Sequence, residues 1–297
     1  MTATILILLG LLSAVALLVA AASHGALWYE CRGTPHEARL RELAAKAGQT
    51  LPGWMVRRLF SAALAQLLLL ASYPLGWVAP LRTSPATTAP DGSPCLILLH
   101  GLYHNPAAWL LAVRRFARNG FPAHHALAYD SWRNDFETTA ARLVSELRGI
   151  MRAHPGRPIV LVGHSLGGLR ARRLVAEPDI ASACLALVTL GSPHGGSRLA
   201  ALGPGRLARD IHPTSEVIAK LRDLPPATPL PCLALLSPVD AMVLPPENLR
   251  PSAASGFEVQ ETVICDHVQM LFSPAVIDQA CGWLRRAAAP GWPGSSS

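Results

Sequence analysis

The fold is decided by one stretch of the sequence, Ile159-Val160-Leu161-Val162-Gly163-His164-Ser165-Leu166-Gly167-Gly168. Its first four residues form an apolar run that predicts a buried strand, and a helix-like segment follows the glycines. The pattern Gly-x-Ser-x-Gly is typical of a strand-to-helix turn so sharp that side chains beside the serine would collide, which leaves the serine hydroxyl exposed. Ser165 is therefore a candidate nucleophile, although an ordinary glycine-rich turn has the same pattern.

A serine nucleophile needs a base, and the sequence offers few candidates. In the α/β-hydrolase fold the acid and then the histidine follow the serine along the chain. Only three of the eleven histidines follow Ser165, at positions 194, 212 and 267. Of these, only His267 also follows a candidate acid and a late apolar segment, residues 261–267, which is typical of a strand running into a loop. We therefore predict that His267 is the base; a solvated loop histidine is the alternative.

The predicted acid is Asp240, which lies in the loop after an apolar segment, 231–236, that is typical of a buried strand. The preceding predicted strand, 184–190, leads into a loop that contains no carboxylate. Aspartate near a proline also forms turns, which is the alternative for this residue. Asp266 is a competing acid, but its position next to His267 would direct it away from the far ring nitrogen. In the predicted arrangement the aspartate orients the imidazole, which takes the serine proton.

Two backbone amides are predicted to bind the oxyanion of a tetrahedral intermediate. One belongs to Leu166, directly after the serine, at the start of a helix whose dipole favours negative charge. The other belongs to Leu102, in the loop after the predicted strand 95–99, where Gly101 permits a close approach. One such donor is typically worth about a hundred- to a thousandfold in rate. His100 is expected to be structural, because only the backbone is required there.

These motifs resemble those of bacterial lipases and esterases of the α/β-hydrolase superfamily, particularly the triacylglycerol-lipase-like group. The resemblance covers roughly residues 94–288 and rests on five motifs in order: His100-Gly101-Leu102, Gly163-His164-Ser165-Leu166-Gly167, the segment 189–197, Asp240 with Val243 and Pro245 after it, and His267. It implies hydrolysis of carboxylic esters through an acyl-enzyme on Ser165, with Asp240 and His267 completing a triad and without a cofactor. Some secreted relatives bind calcium near the histidine. Only Asp266 lies near His267 in this sequence, so we predict no metal site.

The remaining pattern agrees with a compact version of this fold. Apolar runs predict six strands, near 95–100, 121–129, 159–162, 184–190, 231–236 and 261–267. Helical segments alternate with them: one begins at Asn105-Pro106, one begins at Asn134 with Glu137 three residues later, one follows the elbow and one covers 274–288. This alternation predicts a mostly parallel sheet with helices on both faces. Residues 203–229 are a candidate lid or acyl-binding cap, or else a surface excursion with one short helix.

Two apolar segments, 5–22 and 59–78, precede this domain, and each has about the twenty residues needed to cross a bilayer. A signal peptide is the alternative for the first, but no Lys or Arg precedes it. The alternative for the second is a hydrophobic helix packed on the catalytic domain. The basic residues between them are Arg32, Arg39, Arg41, Lys46, Arg57 and Arg58. By the positive-inside rule this loop is cytoplasmic, which would place the catalytic domain on the outer, periplasmic side of a bacterial inner membrane.

The sequence thus predicts four segments. Residues 1–82 form a membrane anchor with helices at about 4–23 and 59–79 and the basic loop between them. Residues 83–94 form a linker rich in Ser, Thr and Pro, residues 95–290 the catalytic domain, and residues 291–297 a flexible tail.

Composition adds two constraints. More than half of the net charge of +7 lies in the first 90 residues, so the surplus follows membrane topology and does not indicate nucleic-acid binding. Four of the six cysteines, Cys95, Cys184, Cys232 and Cys265, fall in predicted strands and are expected to be buried thiols, and no zinc-type spacing is present.

The predicted function is therefore a membrane-anchored serine esterase or lipase that acts on an ester or lipid substrate. Two alternatives remain open: an acyltransferase that uses the same triad, and a membrane-bound scaffold that has lost catalysis. Tyr103, His104 and Trp109 are candidates for lining the acyl pocket, although core packing would explain them equally well. The sequence makes no prediction of the oligomeric state.

Overall fold

A sheet of six parallel strands lies at the centre of the molecule, with the strand order β2-β1-β3-β4-β5-β6. The computed structural model describes residues 2–78, 83–84 and 93–287. The strands are β1 (Cys95–Leu99), β2 (His124–Leu127), β3 (Ile159–His164), β4 (Cys184–Leu190), β5 (Cys232–Leu236) and β6 (Phe257–Glu261). This confirms the predicted α/β-hydrolase fold with six strands.

Ten α-helices lie in the described residues. They are α1 (Thr2–Cys31), α2 (Pro35–Lys46), α3 (Leu51–Ser72), α4 (Leu110–Arg118), α5 (Phe136–Ala153), α6 (Leu166–Leu174), α7 (Pro178–Ala183), α8 (Arg206–Asp210), α9 (Glu216–Arg222) and α10 (Pro274–Ala287). Short 3-10 helices lie at Tyr73–Trp77, Pro106–Trp109, Arg198–Leu202, Pro246–Leu249, Ala253–Ser255 and Val268–Leu271.

The central strands are apolar throughout because the sheet is covered on both faces. In β1, Leu96 and Leu98 belong to a buried cluster that includes side chains of α3, α4 and α10. Ile97 and Leu99 point to the other face, where they join side chains of α5, α6 and α7. Successive residues of a strand point to opposite faces, so each strand buried on both sides needs an unbroken apolar run.

Helix starts follow the predicted capping chemistry, with one correction. The side chain of Asn105 accepts a hydrogen bond from the Ala107 amide at 3.0 Å and caps the Pro106–Trp109 helix, as predicted. The cap of α5 is Asp135 and not the predicted Asn134, because the Asp135 carboxylate accepts from the Thr138 amide at 2.8 Å.

The last strand was predicted in the wrong place. β6 covers Phe257–Glu261, and residues 262–267 form the loop that follows it. β6 is an edge strand whose residues alternate between apolar and polar, so its apolar signal is weak. The apolar residues after it serve another purpose, since Cys265 packs in the core cluster that contains Ala65 and Leu69 of α3.

Both apolar segments form helices that are longer than predicted and differently bounded. α1 runs from residue 2 to 31 instead of 4–23, and α3 from 51 to 72 instead of 59–79. By length and composition two segments could span a membrane: Leu6–Cys31, with a mean hydropathy of 2.6, and Leu51–Trp77, with a mean hydropathy of 1.6.

The contacts of α3 bear on the predicted membrane topology. Near its start, Trp54 is buried in one cluster with Val239 and Leu244 of the hydrolase domain. Just past its end, the Tyr73 carbonyl accepts a hydrogen bond from Asn105 Nδ2 at 2.7 Å. A helix with both ends on one domain does not place a bilayer between that domain and the basic segment before it. α3 thus contacts the hydrolase domain at both ends, while apolar side chains between them, such as Phe60 and Leu64, stay exposed.

The basic segment itself lies on the domain. Leu40 and Leu43 of α2 are buried in the same cluster as Val239, and Arg39 forms an exposed ion pair with Glu261 at 3.4 Å. Of the predicted linker, Thr83 pairs with His125 at the free edge of β2, residues 93 and 94 lead into β1, and residues 85–92 lie outside the described residues. The predicted tail, 291–297, also lies outside them.

Each of the six cysteines is a free, buried thiol. Cys95, Cys184 and Cys232 lie in strands as predicted, whereas Cys265 lies in the loop after β6. This confirms their expected burial.

Candidate active site

Ser165 stands at the turn between β3 and α6 with φ 55° and ψ −125°, a conformation that residues other than glycine rarely adopt. The flanking glycines allow this turn. A Cβ on Gly163 would lie 2.4 Å from the Gly167 backbone, and a Cβ on Gly167 would lie 2.0 Å from the Leu99 carbonyl oxygen. Backbone segments approach each other so closely here that only glycine fits at both positions. The sharp turn places Ser165 beyond the end of β3.

Asp240 and His267 form a buried pair beside this turn. Nδ1 of His267 lies 2.6 Å from Oδ2 of Asp240, and both side chains are almost fully buried. The other carboxylate oxygen, Oδ1, accepts hydrogen bonds from the amides of Met242 at 2.8 Å and Val243 at 3.1 Å. The aspartate is thus held by its own loop, and the second ring nitrogen of His267, Nε2, stays available to another partner.

The competing acid, Asp266, faces a different histidine. Its Oδ1 lies 3.3 Å from Nε2 of His24, a buried residue of α1. The structure therefore brings Asp240, and not Asp266, to the ring of His267.

Gly191 is a residue that the sequence interpretation missed. It directly follows β4 with φ 56°, and a Cβ there would lie 3.1 Å from Oδ2 of Asp240 and 3.2 Å from Nδ1 of His267. Glycine both permits the left-handed backbone and leaves space for the Asp–His pair. The sequence interpretation included it in the motif 189–197, directly after a predicted buried strand, but gave it no role.

His164, inside the elbow motif, supports the loop of His267. Its Nε2 donates a hydrogen bond to the His267 carbonyl at 3.0 Å, and its ring centroid lies 4.7 Å from that of His267. Burial holds the pKa of His164 well below 6.5, and the neighbouring His267 adds to this. His164 is therefore a neutral ring with its proton on Nε2, which suits a structural donor and not a base.

The remaining histidines near the serine also have structural surroundings. Burial and the nearby His100 and His267 lower the pKa of His104 to about 3. His100 stacks on Tyr129 at 4.0 Å between centroids, and its carbonyl accepts a hydrogen bond from the Tyr129 hydroxyl. His194 accepts from Arg172 at its Nδ1, at 3.2 Å, and lies against Thr189.

A cavity of about 320 Å³ opens beside the serine. Ser165 and His267 both line it, as do Leu102, Tyr103 and His104 from the loop after β1. Its other lining side chains are largely apolar: Leu199, Ala200, Leu202, Ile211, Met242, Val243 and Val268. A volume of this size and a mostly apolar wall with a few polar groups are typical of small-molecule sites.

The two predicted oxyanion donors lie at the expected positions of the backbone. Leu166 is the first residue of α6, where amides have no partner within the helix. Leu102 lines the cavity directly after Gly101, and a Cβ on Gly101 would lie 3.2 Å from Cβ of Ser165. The loop therefore approaches the serine closely at Gly101.

The three candidates for lining the acyl pocket differ in their location. Tyr103 and His104 line the cavity. Trp109 does not lie among its lining residues; it is 1% exposed and packs in the core with Phe116 and Leu98, so core packing explains this residue.

The predicted lid segment, 203–229, only partly covers the cavity. Gly203, Pro204 and Ile211 line it, and the Tyr103 hydroxyl donates to the Pro204 carbonyl. The helix α9 instead buries Ile218 and Leu221 in a cluster with Leu169 of α6. The segment contains two short helices instead of the one expected for a surface excursion.

The sequence also did not predict that α1 forms part of the cavity wall. Val19, Ala22 and Ser23 of this helix line the cavity together with Ser165.

Across residues 2–78, 83–84 and 93–287, no group of three His, Cys, Asp or Glu side chains is arranged to bind a metal ion.

Several solved structures share this fold. The mature form of the Bacillus licheniformis lipase BlEst2 is 18% identical, with a TM-score of 0.57 over 68% of this chain and 96% of that chain. Lipase B from Aspergillus fumigatus is 15% identical, with a TM-score of 0.57 over 68% of this chain and 56% of that chain. A monoacylglycerol lipase from Paleococcus ferrophilus is 16% identical, with a TM-score of 0.50 over 66% of this chain and 96% of that chain. At these identities the likeness shows the fold alone.

No curated protein matches the sequence. A family model described as the alpha/beta hydrolase family matches residues 96–294, which is more than half of the chain. The match covers the sheet, the elbow and the loops that carry Asp240 and His267, and the chain therefore belongs to the alpha/beta hydrolase family.

Proposed function

We propose that this protein is a membrane-associated hydrolase of carboxylic esters, a lipase or esterase, that works through an acyl-enzyme on Ser165. The observation that carries the proposal is the 2.6 Å contact between Asp240 Oδ2 and His267 Nδ1, beside a cavity that both His267 and Ser165 line. This arrangement has the parts of a serine hydrolase: a nucleophile on a strained turn, an imidazole and a buried carboxylate. The structures of other lipases with this fold support the same class of substrate.

Each group has a role in the proposed reaction. His267 Nε2 takes the proton from Ser165 Oγ as the oxygen attacks the ester carbonyl, and later gives it to the leaving alcohol. Asp240 fixes the tautomer with the proton on Nδ1 and stabilises the imidazolium that forms. The amides of Leu102 and Leu166 would bind the oxyanion, and water would then release the acyl group from Ser165.

We also propose that α1 attaches the protein to a bacterial cell membrane. This helix carries exposed apolar side chains before Val19, among them Leu6, Leu11 and Leu18, which a bilayer would cover. The hydrolase domain then lies on the side of the basic segment that packs against it. By the positive-inside rule that side is the cytoplasm.

The reaction is tested by labelling the full-length protein with a fluorophosphonate, which reacts with activated serines. We expect wild type to be labelled and Ser165→Ala and His267→Ala to lose both labelling and turnover of p-nitrophenyl butyrate. Turnover that persists in Ser165→Ala would refute the assigned nucleophile. A folded wild type that neither reacts with the probe nor cleaves the ester would favour the catalytically silent scaffold.

The orientation is tested separately with carboxy-terminal fusions in bacterial cells. We expect a green fluorescent protein fusion to fluoresce and an alkaline phosphatase fusion to stay inactive, because the latter folds only outside the cytoplasm. An active phosphatase fusion would restore the outward-facing arrangement.

A further inference from the structure

The N-terminal apolar helix does not merely precede the catalytic domain; it forms part of the wall around the candidate nucleophile. Val19, Ala22 and Ser23 of α1 line the same cavity as Ser165 and His267. Val19 and Ala22 keep part of their surface exposed, whereas Ser23 is buried. These positions lie on one face of the helix, since residues three and four apart are neighbours.

This wall is apolar even at its one polar residue. The Ser23 hydroxyl donates to the Ala20 carbonyl of the preceding turn at 3.1 Å, so its hydrogen-bonding capacity is used within the helix. Leu199, Leu202 and Ile211 add further apolar lining to the cavity. A hydrocarbon chain would meet no unpaired polar group on the α1 side.

Several contacts hold α1 in this position. Leu27 is 1% exposed and packs with Val239 and Leu244 of the hydrolase domain. On the same face, His24 pairs with Asp266, the residue before His267, at 3.3 Å. Glu30 of α1 and Arg198 form an ion pair at 2.9 Å. The wall is therefore a docked part of the domain.

The same helix packs along α3 and, before Val19, forms an apolar rod with many exposed side chains. Leu6, Leu11 and Leu18 are 69%, 61% and 69% exposed, and the cavity begins at the very next residue, Val19. Leu202, which also lines the cavity, is 74% exposed. If the rod lies in a bilayer, the entrance of the cavity lies at the bilayer surface.

We propose that α1 forms one wall of the acyl-chain site, and that the substrate is a long-chain fatty acyl ester whose chain enters the cavity from the bilayer along Val19 and Ala22. This inference rests on the proposed ester hydrolysis at Ser165 and adds to it the substrate class and the residues that select it. Short acyl groups need only the part of the cavity next to Ser165, whereas long chains also need the wall that α1 supplies.

The first experiment replaces single residues of the α1 wall by tryptophan, whose larger side chain would occupy part of the cavity. Val19→Trp and Ala22→Trp are compared with Leu18→Trp, which places the same side chain on the exposed face of the same helix. Full-length proteins in dodecyl maltoside micelles are assayed for kcat/KM with p-nitrophenyl butyrate and p-nitrophenyl palmitate.

We expect the palmitate-to-butyrate ratio to fall about tenfold or more in Val19→Trp and Ala22→Trp, because each methylene kept out of the cavity costs a factor of about four. Leu18→Trp, which does not line the cavity, should keep both the wild-type ratio and the wild-type butyrate turnover. An unchanged ratio in both cavity variants, with butyrate still cleaved, would overturn the inference and leave the proposed function standing. A wild type that cleaves neither ester would overturn both.

The second experiment uses the wild-type protein and does not depend on the folding of a variant. The probe is a long-chain alkyl fluorophosphonate with a diazirine near the middle of its chain. Ser165 Oγ attacks its phosphorus atom and displaces fluoride, and light then activates the diazirine. The first Lys or Arg in the sequence is Arg32, so trypsin leaves all of α1 in one peptide. We expect the photo-crosslink to join Ser165 to that peptide. A probe that reacts with Ser165 but crosslinks only to residues of the 198–211 segment would refute the role of α1.

Discussion

Replacing Gly191 by alanine tests whether the Asp–His pair depends on the space beside it. The new Cβ would lie 3.0 Å from Met270 Sδ, 3.1 Å from Asp240 Oδ2 and 3.2 Å from His267 Nδ1. These distances are shorter than ordinary carbon contacts, so the pair would have to move by a few tenths of an ångström. A misplacement of about 1 Å in an active site can cost a hundredfold in rate, so we expect kcat to fall about ten- to a hundredfold.

The substitution also strains the backbone, because Gly191 has φ 56°. A left-handed conformation costs an alanine about 1–2 kcal/mol of stability whatever lies nearby. This cost must be separated from the effect on the site. Gly256 offers the control, since it has φ 72° and a Cβ there would meet nothing within 4 Å.

Gly191→Ala and Gly256→Ala are therefore compared in two assays, hydrolysis of p-nitrophenyl butyrate and chemical unfolding in detergent. Both variants should lose a similar 1–2 kcal/mol or so of unfolding free energy. Only Gly191→Ala should lose kcat. If it keeps kcat within about twofold of Gly256→Ala, the space beside the pair is not what positions His267, and the reasoning is refuted.

Three further predictions concern the site and the packing around it. Asp240→Asn should lower kcat about ten-thousandfold without loss of the fold, because His267 would adopt the wrong tautomer. Ester hydrolysis measures kcat and a melting curve measures the stability of the fold. Near-normal turnover would show that Asp240 is not part of the mechanism. Burial holds the pKa of His194 well below 6.5, so below that pH only the unfolded chain takes up its proton and acid destabilises the fold. From about pH 7.5 to about pH 5.5 the unfolding free energy of wild type should fall by about 1.4 kcal/mol more than that of His194→Gln, and equal pH dependence would contradict this. Leu27→Ala should cost about 2–5 kcal/mol in chemical unfolding, because Leu27 is buried against Val239 and Leu244, whereas a helix that lies only in lipid would give no change.

Local pattern and chain order were sufficient for the framework of this protein. A run that is apolar except for Thr189 predicted β4 from Cys184 to Leu190 without error, because a strand covered on both faces consists mainly of apolar residues. The glycines at 163 and 167 predicted the turn that presents Ser165, because their spacing reflects a steric requirement within five residues. The order of serine, acid and histidine then pointed to Asp240 and His267, which the structure places in contact.

Weakly patterned elements were beyond this reasoning. The position of β6 was predicted wrongly because an edge strand alternates polar and apolar residues and its sequence resembles that of a loop. The roles of Gly191 and His164 were not predicted because they depend on atoms that lie 49 to 103 residues away along the chain, such as Asp240 and the His267 carbonyl.

The sequence by itself determined that the chain has two long apolar helices before a parallel sheet, and an exposed serine at the end of its third strand. Only the tertiary structure decided what those helices touch. α1 is apolar on every side, so no periodicity reveals that Val19 and Ala22 face the cavity while Leu18 does not. α3 is apolar enough to cross a bilayer, yet Trp54 at its start and Tyr73 just past its end both contact the hydrolase domain. Hydropathy records how strongly a side chain avoids water, and lipid and a protein core satisfy that preference equally well.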